Sequence, residues 1–159
     1  MKDTDSSIEP IETFSGIVAH GDKLGRTLGF PTANLNLDGP AQSSSGVYIS
    51  AVRIGHAEGL NQVHFGLSSL GCRPTVSGQD LRLETFIPDF SGDLYDQWID
   101  VVLLKFVRCE EKFGSLEELV DAMNADLNAF RACHKSALRD LLPKNFFVNE
   151  VLSEMLIRQ

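Results

Sequence analysis

Cysteine is scarce in this chain. Cys72, Cys109 and Cys133 are widely spaced and odd in number, so they form neither a C-x-x-C pair nor a disulfide framework. Reduced thiols are the expectation. The four histidines, His20, His56, His64 and His134, lack metal-ligand spacing, which sets a zinc site aside. Positive charge is in deficit: 14 Lys and Arg against 22 Asp and Glu give a formal net charge of −8. A pI near 4.9 argues against a nucleic-acid partner, because such binding rests on neutralising phosphates. The longest aliphatic run, Val101 to Leu104, is far short of the ~20 residues that span a bilayer. Met1 to Pro10 is polar, with no apolar core of a signal peptide. A cytoplasmic protein without a membrane partner is therefore expected.

What remains is ordinary globular composition, 43% hydrophobic and 23% charged, in 159 residues: one domain with chain enough for a core. Residues 1–10 read as a flexible tail. From Phe14 to Arg108, short apolar stretches alternate with Gly, Pro, Asn, Asp and Ser clusters, the pattern of successive antiparallel strands. Gly46–Ile54 and Val63–Ser68 are two of them. In a third, Leu81, Leu83, Thr85 and Ile87 share one face and Arg82, Glu84 and Phe86 the other. Trp98–Val107 is the longest and least polar, hence expected to be central. Closure into a barrel would remove exposed strand edges, so a mainly β, closed antiparallel barrel is the expected fold.

The periodicity changes at Ser115. Ser115-Leu116-Glu117-Glu118 is a capping box, with Glu118 expected to reach back to the cap. Leu116, Leu119, Val120, Met123, Leu127 and Phe130 then fall on one helical face, expected to cover the barrel. After Pro143, Val148, Val151, Leu152, Met155 and Leu156 repeat helical spacing. The expected layout is a barrel with its packed helix over 11–135 and a helical extension over 136–159. Phe146 and Phe147 read as core rather than as a ligand stack.

The stretch Gly25-Arg26-Thr27-Leu28-Gly29-Phe30-Pro31-Thr32-Ala33-Asn34 is the most informative. It joins a glycine-rich loop, which lets phosphate approach backbone N–H groups, to a Pro-Thr-x-Asn turn with two neutral oxygen donors. Pro31 fixes its own φ and restricts Phe30, which holds Thr32 and Asn34 at a defined angle. A hydroxyl and an amide oxygen suit a hard cation such as Mg²⁺ that shares substrate phosphates. The P-loop fails on spacing, since Gly21 and Gly25 are separated by three residues and Arg26 follows. No Gly-x-Gly-x-x-Gly is present. Taken alone, the glycine-rich turn reads as a hairpin.

Gly21 to Asn34, as G-x-x-x-G-R-x-L-G-F-P-T-A-N, resembles the signature of riboflavin kinases. The likeness recurs in order at Gly46-Val47-Tyr48, Gly71-Cys72-Arg73-Pro74-Thr75, Leu83-Glu84-Thr85, Asp89-Phe90-Ser91-Gly92-Asp93-Leu94-Tyr95 and Lys112-Phe113-Gly114-Ser115-Leu116-Glu117-Glu118-Leu119. The resemblance implies a Greek-key-like β-barrel that transfers the γ-phosphoryl group of ATP to the riboflavin 5′-hydroxyl, giving FMN and ADP. It places Mg²⁺ on Thr32 and Asn34, and makes Glu84 the catalytic base. Phosphates would lie along the loop from Gly21 through Lys23 and Gly25 to Arg26, continuing to Gly29, Phe30 and Pro31. Arg73 would approach phosphate or serve as a surface ion-pair partner.

Departures from the family pattern are Lys23 and Asp96 where glycine is usual, Ser69 where Asn is frequent, and Phe86 where His is common. By period alone Glu84 reads as a solvated partner of Arg82, and only the family position makes it the base; Asp93 and Asp89 are alternative bases in a turn-forming segment. Tyr95, Trp98 and the C-terminal segment are candidates for an apolar flavin slot. Only Met1–Pro10 precede the barrel, so the adenylyltransferase half that many bacterial relatives carry is expected to be absent. A monomer is expected. The competing reading is a flavin- or nucleotide-binding sensor without turnover.

Overall fold

The computed structural model describes residues 11–21, 23–55, 63–76, 78–143 and 146. The tail over residues 1–10 and the helix expected over Val148 to Leu156 lie outside them. Six strands form one antiparallel sheet: β1 (Glu12–Ile17), β2 (Thr32–Leu37), β3 (Gly46–Ile54), β4 (Val63–Thr75), β5 (Gly78–Phe86) and β6 (Trp98–Cys109). Their spatial order is β1-β6-β3-β4-β5-β2. Strands β3, β4 and β5 run as a meander and β6 returns beside β3, which is a Greek key. The ends of the sheet meet at one bridge, where Ala19 N–H donates to the Asn34 carbonyl at 2.8 Å. The sheet is thus a nearly closed barrel.

Period-two alternation sorts side chains between an inner and an outer cluster. Leu35, Tyr48, Val52, Leu70, Leu83, Ile99, Val101 and Leu103 fill the interior. On β3, β4 and β6 the opposite parity is apolar as well. Ile49, Ala51, Phe65, Leu67, Val102 and Leu104 lie under Phe130, Leu138, Leu142 and Phe146. These strands therefore read as continuous apolar runs because both faces are covered. Strand β6 is paired on both sides, though β4, at 13 residues, is the longer strand. It runs on to Thr75, well past the Ser68 expected from sequence.

The cover consists of α2 (Leu116–Arg131) and α3 (Lys135–Asp140); the one-turn α1 (Leu24–Thr27) lies in the glycine-rich loop. Helices α1 and α3 were not foreseen from periodicity, since four and six residues are too few to show one. Ser115 caps α2 by accepting the Glu118 N–H at 3.1 Å. Glu118 reaches back one residue further than a standard capping box: its Oε2 accepts the Gly114 N–H at 2.7 Å. Leu116, expected on the buried face, is 58% exposed. Phe146 is buried in the outer cluster, as expected of a core residue.

Candidate active site

The glycine-rich loop folds back onto β2. Lys23 takes the left-handed conformation (φ 60°, ψ 5°) and caps α1. The Phe30 N–H then closes the loop on the Gly25 carbonyl at 2.7 Å. A Cβ at Gly25 would strike the Phe30 carbonyl, and one at Gly21 would collide with the Asn34 amide. Gly25 is required because its Cβ would meet backbone, whereas a side chain at Gly21 would push the Asn34 amide out of its place. The loop and the Pro-Thr-x-Asn turn are thus one packed unit.

Strand pairing completes the site. Ala33 and Leu35 point into the barrel, so Thr32 and Asn34 project outward. Across the β2–β5 ladder Thr32 faces Phe86 and Asn34 faces Glu84. On the other side of β5, Glu84 faces Ser69 of β4. Asn34, Glu84 and Ser69 therefore form a row across the outer face, with Thr32 and Phe86 in the next row. Asn34 is buried to 8% exposure, and its Nδ2 donates to the Thr32 carbonyl at 3.4 Å. That leaves Oδ1 as the donor atom for a cation.

Three cavities meet around these rows. A narrow one of about 60 Å³ opens at the barrel mouth between Arg26, Pro31, Thr32, Thr85, Asp93 and Tyr95. A larger slot of about 270 Å³ lies between the outer sheet face and α2, lined by Phe30, Thr32, Glu84, Phe86, Phe113 and Met123 among others. Thr32 is a wall of both. The third, of about 230 Å³, is polar and is lined by Ser69, Cys72, Arg73, Arg82, Glu84 and Glu110. Phe30 meets Phe86 edge-on at 5.4 Å in the slot. At the mouth, His20 stacks on Tyr95 at 4.0 Å and the Arg26 guanidinium lies 5.6 Å from the same ring.

Thus Gly21, Lys23, Gly25, Arg26, Gly29, Phe30, Pro31, Thr32 and Asn34 occupy one continuous loop and strand, and Glu84 adjoins it. Arg73 lies apart, in the polar cavity beyond Glu84. Asp93 behaves as a turn residue, its Oδ1 accepting the Tyr95 N–H at 2.9 Å, while Asp89 pairs with Lys135 at 3.2 Å. Trp98 hydrogen-bonds Asp100 and lines none of these cavities. Sequence reasoning missed the α2 side of the slot. Leu119 and Met123 were read as cover, and Arg108, Phe113 and Asp126 were not singled out. Arg108 holds Asp126 through two hydrogen bonds of 2.8 and 2.9 Å. These bonds raise the guanidinium pKa above its ordinary value against the opposing effect of burial.

No group of three His, Cys, Asp or Glu side chains able to hold a metal occurs among the described residues. The donor set beside the loop is Thr32 hydroxyl and Asn34 amide oxygen, which fits a hard, partly hydrated cation. No helix among the described residues is long and apolar enough to cross a membrane.

The family model for riboflavin kinase (Flavokinase) matches residues 10–134. The chain belongs to the riboflavin kinase family. The bifunctional riboflavin kinase/FMN adenylyltransferase of Pseudomonas fluorescens is 44% identical over 119 residues, covering 74% of this chain and 37% of that protein. This chain spans well under half the length of the bifunctional relatives it matches. Riboflavin kinase from Trypanosoma brucei shares the fold, with a TM-score of 0.57 at 23% identity over 89% of this chain and 88% of that one. A Streptococcus pneumoniae structure described as a macrolide-efflux protein aligns with a TM-score of 0.68 at 35% identity, over 79% of this chain and 40% of the other. Lys23 and Asp96, which stand where the family usually has glycine, are the non-glycine residues with positive φ, 60° and 62°, among those described.

Proposed function

We propose that this barrel phosphorylates riboflavin from ATP, with the nucleotide at the barrel mouth and the flavin ring in the outer slot. The observation that carries the reading is that Thr32 walls both cavities while Asn34 and Glu84 stand in register beside it. A donor and an acceptor lodged in the two cavities would meet at this row.

In phosphoryl transfer a protein mainly positions groups and neutralises charge. The loop from Gly21 to Arg26 supplies close backbone approach and the cations Lys23 and Arg26. Thr32 and Asn34 would hold Mg²⁺ by neutral oxygens; the ion, when bound, offsets charge on the β- and γ-phosphates. Glu84 accepts the proton of the ribityl 5′-hydroxyl as that oxygen bonds to the γ-phosphorus and the bond to the ADP oxygen breaks. Phe30, Phe86, Phe113 and Met123 give the slot its apolar lining for the isoalloxazine ring. The test is incubation with riboflavin, ATP and Mg²⁺, followed by chromatography for FMN. Turnover supports the reading; riboflavin binding without FMN rejects it in favour of a sensor.

A further inference from the structure

One ion pair lies in the wall of the outer slot, its aspartate buried and its arginine 25% exposed. Arg108 projects from β6 and Asp126 from α2, and both line the cavity. Arg108 Nε donates to Asp126 Oδ1 at 2.8 Å, Nη2 to Oδ2 at 2.9 Å, and Nη1 to the Cys109 carbonyl at 3.2 Å. The guanidinium also lies 5.6 Å from the centre of the Phe113 ring. Every guanidinium nitrogen is engaged, and the Asp126 side chain is only 7% exposed. Two parallel hydrogen bonds fix angle as well as distance, which a lysine or an apolar pair could not do.

A part-buried ion pair adds little net stability. Its particular merit is geometry, and what it holds in place is the slot. Leu119 and Met123 of α2 line the same cavity, as does Phe113 of the preceding loop. We infer that Asp126 is a positioning residue for flavin: it keeps Arg108 against Phe113 and fixes α2 as the outer wall of the slot. This rests on the reading of the slot as the flavin site.

The test uses Asp126→Asn, which keeps shape but loses the charge, and Arg108→Lys, which keeps charge but loses the planar fork. Riboflavin affinity is measured by fluorescence titration, and KM and kcat are measured for both substrates. The expected result is an approximately tenfold or greater rise in Kd and KM for riboflavin in both variants, about one 1.4 kcal/mol step. KM for ATP and kcat at saturating riboflavin should stay within about threefold of wild type, while Asp126→Glu, which still reaches the guanidinium, recovers most of the affinity. If Asp126→Asn does not fold, Arg108→Lys and Asp126→Glu decide the matter alone. Wild-type riboflavin affinity in the folded variants, or equal weakening of ATP and riboflavin, overturns this inference and leaves the kinase reading standing. A wild-type protein that binds no riboflavin overturns both.

Discussion

Asn34 on β2 stands directly opposite Glu84 on β5, side by side on the outer face of the barrel. A proposed cation ligand and a proposed base, far apart in sequence, are thereby neighbours through a single register. A slip of one residue in β2 would turn Asn34 to the opposite face and away from Glu84. Leu35 and Leu83, facing each other in the next row, hold the register because both are fully buried.

If Glu84 takes the hydroxyl proton, Glu84→Gln should lower kcat by ~10²–10⁴-fold while riboflavin and ATP still bind. Steady-state kinetics with separate binding titrations check this. A variant keeping more than about a tenth of wild-type kcat would move the base elsewhere.

Thr32→Ala and Asn34→Ala should raise the Mg²⁺ and ATP concentrations needed for half-maximal rate, because each removes a neutral oxygen donor. Thr32→Ala should melt close to wild type. Metal titrations that superimpose on wild type for both variants would take these residues out of the site.

Lys23→Gly should relieve a left-handed side-chain conformation worth ~1–2 kcal/mol, offset in part by the greater freedom of glycine in the unfolded chain. A net gain of up to about 1 kcal/mol corresponds to a rise of ~2–4 °C in Tm for a chain of this size. The same change removes a cation from the proposed phosphate loop, so KM for ATP should rise severalfold. A lower Tm together with an unchanged KM would contradict both halves.

Stability should also depend on acid pH through Asp100 and Glu12. Burial pushes the Asp100 carboxyl up, but hydrogen bonds from Ser15 and Arg53, the Arg53 charge and Trp98 outweigh it, so its pKa lies below the ordinary value. Glu12 is lowered likewise: burial opposes, and hydrogen bonds from Ser43 and Gln42 prevail. A depressed folded-state pKa means that the unfolded chain takes up protons first as pH falls. The stabilisation is complete above the unfolded values of about 4 and disappears as pH drops through the folded ones. Urea melts of wild type and Asp100→Asn should therefore differ more at pH 7 than at pH 3. A gap that is constant with pH would contradict this.

Much of this was legible in the sequence where a strict period or a fixed spacing was at work. The alternation in Leu81 to Ile87 set Leu83 and Thr85 on one face and Glu84 on the other, and the burial of Leu83 and Thr85 makes the first face the inner one. Ser115 was legible as a cap because capping depends on local spacing. The slot was not legible, because Arg108, Phe113, Met123 and Asp126 meet only when α2 docks on the sheet. Arg53 was equally hidden: it reaches Asp100 on β6 at 2.7 Å and the Phe146 carbonyl at 2.8 Å, contacts that tertiary packing alone creates. Lys23 is the instructive intermediate case. Its departure from glycine was visible in the sequence, but its positive φ became evident only in the folded loop.

The central claim is tested most directly by following the transferred group itself. With ATP labelled in the γ-phosphate, riboflavin and Mg²⁺, the account predicts that label appears in FMN, with one ADP formed per FMN, and that Glu84→Gln suppresses both products together. Label released as inorganic phosphate, or ADP formed at the same rate without riboflavin, would contradict it.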